Sequence, residues 1–134
     1  MKRIDSILVV LDKPKHAQIA LERARMLAAA AGAHLHLVSF CWLAMVEHRD
    51  VFSAHQRRAL KQSVLRQREE WLRGLVRDAG LAAADVTIET VWTDDIAGWE
   101  AEAAAGGGFD LVVKSVHASK TLLHTPLDWQ LLRT

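Results

Sequence analysis

Apolar positions fall in three patterns along this chain, and each predicts a different element. The first is an unbroken run, Ile7-Leu8-Val9-Val10-Leu11, closed by Asp12 and followed by Lys13-Pro14. A run without polar alternation suits a strand buried on both faces of a parallel sheet. It predicts a first strand from about Asp5 to Leu11. From about His16 the period changes. Ala17, Ala20, Leu21, Ala24, Leu27, Ala28 and Ala31 recur at helical spacing, in strong helix formers, and Gly32 supplies the stop. Ala33 to Phe40 begins in alternation (His-Leu-His-Leu-Val) and then turns apolar, as a second strand would. Strand, helix and strand make a βαβ unit, whose crossover is right-handed.

Cys41 to Phe52 follows no single period. Trp42, Leu43, Met45, Val46, Val51 and Phe52 are large and apolar, with Glu47, His48, Arg49 and Asp50 between them. Long connections of this kind in compact domains carry function or motion. Ser53 then opens the longest helix, to about Ala79, with Gln56 placed to complete a capping box. Leu60, Val64, Trp71, Leu72, Leu75 and Val76 form its apolar stripe. Arg57, Arg58, Lys61, Arg66, Arg68, Arg73 and Arg77 are placed on a basic, solvated outer face, against Glu69, Glu70 and Asp78. Asp85 to Trp92 alternates in part, which suits a strand at a sheet edge. Asp94 or Asp95 caps a short helix from Ile96 to about Ala105. Gly106-Gly107-Gly108 ends that helix and precedes a strand, so these glycines read as a stop rather than a phosphate cradle.

The fourth strand runs from Phe109 to Lys114, with Asp110 near its start and so away from any ligand end. Ser115 to His124 reads as a loop. Thr125-Pro126-Leu127-Asp128 reads as a helix start, with Thr125 as cap and Pro126 at the first helical position; the helix runs to Arg133, with no strand after it.

Composition narrows the function. A chain of 134 residues fits one domain. The net charge of +1 gives no drive toward nucleic acid or a membrane surface, and no apolar run is long enough to span a bilayer. We expect no nucleic-acid and no membrane partner, and a cytoplasmic setting. The single cysteine, Cys41, excludes an internal disulfide and reads as an inert buried thiol. No nucleophile elbow, P-loop, dinucleotide fingerprint or paired carboxylates appear, so no enzymatic activity and no catalytic residue is expected. Ser115 and His117 follow a strand end, but sequence places no orienting acid beside them. His34 and His36 share a strand face, and His117 or His124 would have to complete a metal site; no metal is expected. The greasy connection raises one more possibility. Trp42, Met45 and Phe52, with Val116, Leu122 and Leu123, would roof an apolar pocket for a small hydrophobic or amphipathic ligand, or would simply seal the core.

The chain resembles the universal stress protein domain. The resemblance rests on Ile7-Leu-Val-Val-Leu-Asp12, the helix with Gly32-Ala33 and the second strand, Phe109-Asp-Leu-Val-Val-Lys114, and the closing Thr-Pro-Leu-Asp-Trp-Gln-Leu-Leu-Arg133. That closing segment, with Val91-Trp92 and Gln67-Arg68, is most similar to the first half of the E-type tandem members. The resemblance implies an α/β, flavodoxin- or Rossmann-like three-layer sandwich with parallel strand order 3-2-1-4-5, a stress-response role and frequent dimers. Residues 1–134 are then one such domain, the first half of a tandem protein or a truncated domain.

Two departures set further expectations. ATP-binding members carry G-x-x-G after strand four, then a further glycine with Ser or Thr that opens a helix toward the phosphates. The matching stretch here is Ser115-Val116-His117-Ala118, then Thr125-Pro126, and it has no glycine. Pro126 also removes a donor N–H. Asp12 resembles the adenosine-contacting aspartate. Asp12, Ser115, His117, Ala118 and Thr125 are therefore a vestigial nucleotide site, and bound ATP or AMP is not expected. Secondly, the fifth strand is missing, giving a sheet of order 3-2-1-4 whose fourth strand offers a bare edge. A homodimer or an intramolecular second domain is the expected partner. The alternatives are an adenine-nucleotide binder with weak ATPase activity and a binder of a small apolar ligand.

Overall fold

A computed structural model describes residues 3–11, 18–48, 50–116 and 120–124, with backbone only at 115, 116 and 120–124. In chain order the elements are β1 (Ser6–Val10), α1 (Ile19–Ala31), β2 (His34–Cys41), a 3-10 turn at Ala44–Glu47, and α2 (Ala54–Asp78). A second such turn at Ala83–Asp85 leads into β3 (Val86–Trp92), α3 (Ile96–Ala105), β4 (Leu111–Val116) and β5 (Lys120–His124). The sheet order is β3-β2-β1-β4-β5. The first four strands run parallel, with Val10 opposite Val38 of β2 and Lys114 of β4.

Successive residues of β1 enter different cores, because strand side chains alternate between faces. Ile7, Val9 and Leu11 pack with Leu35, Leu37 and Val113 against Ala20, Leu21 and Ala24 of α1 and Leu72 of α2. Leu8 and Val10 pack with Val38 and Val112 against Trp99 and Ala103 of α3. Both faces of the strand are filled, which is why its sequence shows no alternation.

Local signals hold at the helix ends. Gln56 N donates to Ser53 Oγ at 3.1 Å and Ser53 N to Gln56 Oε1 at 2.9 Å, a closed capping box. Gly32 ends α1 at φ 69°, a backbone state that only glycine adopts without strain. Asp95 caps α3 by accepting from Gly98 N at 3.0 Å; a Cβ on Gly98 would lie 2.2 Å from the Asp95 carboxylate, so a larger residue there would push the capping side chain aside.

Five expectations are corrected. The span Ser115–His124 is not all loop: Lys120–His124 forms β5, antiparallel to β4, with Val112 opposite His124 and Val116 opposite Lys120. The β4 edge is therefore paired rather than bare, since its free N–H and C=O groups find partners along the returning chain. Leu122 and Leu123 belong to this strand and not to a loop over the sheet end. Leu60 leaves the apolar stripe and is exposed, whereas Arg68 leaves the outer face and reaches the sheet. The closing helix expected from Thr125 to Arg133, and the strand that family resemblance would put after it, fall outside the described residues. Among those described, no helix is long and apolar enough to cross a membrane.

Candidate functional site

In a parallel sheet, ligands collect at the carboxyl ends of the strands, beside the point where strand order reverses. Here that point lies at β1, between β2 and β4. Leu11 is buried there, and its N–H donates to Val38 O at 2.9 Å. Asp12, which follows it, lies outside the described residues, as do His117, Ala118 and Thr125. Ser115 is placed by its backbone alone, opposite Thr121 in the β4–β5 ladder. Sequence reasoning missed the pair that does occupy this end: Lys114 Nζ sits 2.8 Å from Glu100 Oε2 of α3, with side chains 24% and 13% exposed. Lys114 is the one charge in its apolar strand, and that isolation was the available signal; Glu100, with Glu102 two residues on, carried none.

A second cluster lies at the ends of β2 and β3. Arg68 Nη1 of α2 donates to Ser39 Oγ at 2.8 Å and to the Phe40 carbonyl at 3.2 Å, and its guanidinium lies 5.6 Å from the Trp71 ring. Ser39 is fully buried, so Arg68 supplies its partner. Cys41 is buried beside them. Burial pushes its thiol up, with Arg68 pulling weakly the other way, so the thiol stays protonated and inert.

The expected roof residues do not form one wall. Trp42 stands 5.6 Å from Trp92, ring to ring, and is partly exposed. Trp92 Nε1 donates to Glu47 Oε1 at 2.9 Å, and Lys61 Nζ lies 5.8 Å above the Trp92 ring. Met45 points to solvent, while Val46 of the same turn is buried. Phe52 instead lines a shallow groove of about 330 Å³ with Gln56, Ala59 and Leu60. The Leu122 side chain lies outside the described atoms.

The strand histidines have local partners. His36 Nε2 lies 2.8 Å from Glu89 Oε1 and its Nδ1 2.5 Å from Thr87 Oγ1, while His34 Nε2 lies 3.2 Å from the same hydroxyl. Among the described residues no three His, Cys, Asp or Glu side chains are grouped to hold a metal ion. Asp110 sits at the other end of the sheet, accepting from the N–H groups of Asp5 and Ser6 at 2.8 and 3.2 Å.

The model of the Universal stress protein family matches residues 3–127. Universal stress protein E of Escherichia coli strain K12 is 29% identical over 99% of this chain, and that of Photorhabdus laumondii 28% over the same share. The chain spans 43% of the length of these curated relatives. Among solved structures, a universal stress family protein from Burkholderia pseudomallei superposes with a TM-score of 0.56 at 24% identity, over 87% of this chain and 85% of that one. A chain described as a putative universal stress protein from Pseudomonas aeruginosa UCBPP-PA14 gives 0.50 at 27% identity, over 97% of this chain and 40% of that one.

Proposed function

We propose that this chain, which belongs to the universal stress protein family, works as a non-enzymatic stress-response module that does not hold ATP by its phosphates and acts through association. One observation carries this reading. Where a phosphate loop would need free backbone N–H groups, the chain folds back as β5 and pairs with β4 from Val112 to Val116. N–H groups committed to a ladder are not available to an anion, and the stretch has no glycine to bring other backbone close. The Lys114–Glu100 pair adds to this, since a lysine already neutralised at that end offers a phosphate little.

Association follows from the same strand. β5 is the last strand of the described sheet, so its outer edge keeps an unpaired row of backbone groups suited to a second copy or a second domain of the same kind. The twofold greater length of the relatives supports a second domain as the natural neighbour. A cytoplasmic setting belongs to the same proposal.

Calorimetric titration with ATP tests the reading. The expected result is no saturable binding in the micromolar range. Micromolar affinity that disappears on Asp12→Ala overturns it in favour of the nucleotide-binding alternative.

A further inference from the structure

The long helix α2 changes character along its length. Its inward positions are apolar at Trp71, Leu72, Leu75 and Val76, whereas half-buried Arg57 and Arg68 and exposed Lys61 are basic. Two contacts show where the sheet ends beneath it. Arg68 reaches Ser39 and Phe40 near the end of β2, and Lys61 lies over Trp92, the last residue of β3. The residues before Lys61 therefore overhang the sheet, by about 10 Å at the rise of an α-helix. Arg57 is one turn farther out on the same side as Lys61.

Among the described residues neither Arg57 nor Lys61 joins an ion pair. Arg57 Nε is withdrawn from water and has no acceptor among the described residues, an arrangement that costs free energy unless an acceptor arrives. Glu47 accepts from the Trp92 indole N–H, which fixes that ring. Beside it Trp42 is 38% exposed, with Leu43 and Met45 exposed next in sequence. Fixed aromatic faces next to unpaired cations suit one ligand chemistry: a planar ring that stacks and an acid group that pairs.

We propose that the carboxyl ends of β2 and β3 form a site for an aromatic anion, its ring against Trp42 beside Trp92 and its acid group held by Arg57 and Lys61. The site is offset from the β1–β4 end where triphosphate binding was considered, so it stands whether or not ATP binds there.

The test uses 8-anilinonaphthalene-1-sulfonate as the probe, followed by its fluorescence and by calorimetry on the folded chain. Saturable one-to-one binding is expected. Trp42→Ala and Arg57→Gln each weaken it at least tenfold, Lys61→Gln about threefold, and Arg73→Gln, on a remote face, leaves it unchanged. Thermal melts of each variant separate loss of the site from loss of the fold, and Lys61→Gln, fully at the surface, supplies a variant that folds. Equal affinity in wild type, Trp42→Ala and Arg57→Gln overturns the proposal. So does equal binding of the uncharged N-phenyl-1-naphthylamine, which would leave the cations without a role. Concentration-dependent self-association abolished by Trp42→Ala, with no probe binding, overturns it in favour of a protein-docking patch.

Discussion

The two ends of the sheet are built differently. At the amino end the helix stops and the strand start have partners: α1 closes on Gly32, α2 on Gly80, and Asp110 accepts from the N–H groups of Asp5 and Ser6 where β1 begins. At the carboxyl end Trp42, Leu43, Met45, Val51 and Ile96 stay exposed, and Arg57 Nε has no acceptor among the described residues. One end is finished by its own residues, and the other is left with surface suited to something else. Stability should therefore reside in the core and the amino end, and recognition at the carboxyl end.

Four measurements would break or sharpen that contrast. The largest effect is expected at Leu72, fully buried between α2 and the sheet. Leu72→Ala should cost about 2–5 kcal/mol by chemical denaturation, through lost burial and a residual cavity; a cost under ~1 kcal/mol would mean that α2 is not seated on the core. Next, Asp110→Ala should cost about 1–2 kcal/mol, because it leaves the backbone donors of Asp5 and Ser6, at the start of β1, without their charged acceptor. By contrast Met45→Ser, at an exposed site on the open end, should stay within about 0.5 kcal/mol. A large loss there would mean that this end is structural after all.

The smallest effect is a slope with pH. The Cys41 thiol is pushed up by burial, so the folded chain keeps a proton that the unfolded chain releases. The stability tied to it is whole below the ordinary thiol range and declines as pH rises through that range toward the folded value. Cys41→Ala should flatten this alkaline decline in a denaturation series. A slope unchanged by the substitution would show that Cys41 is not its source.

Much of the architecture was readable from residues. The apolar run at Ile7–Leu11, the Ser53–Gln56 box and the Asp95 cap are local signals, set by side chains within a few positions of one another, and each appears in the structure. The candidate site was less legible. Arg68 looked like one more surface arginine, because nothing near it in sequence marks Ser39 as a buried hydroxyl in need of a donor. Lys120–His124 looked like loop, because two adjacent leucines among polar residues fit no period.

By itself the sequence determined the parallel four-strand core and its order of elements, since periodicity and caps are short-range properties of the chain. Tertiary structure alone decided that Lys120–His124 becomes a strand, that Arg68 turns inward, and that Lys61 comes over Trp92. Each of these depends on a partner at least 20 residues away or on the open edge of another strand, and such partners exist only once the sheet has formed.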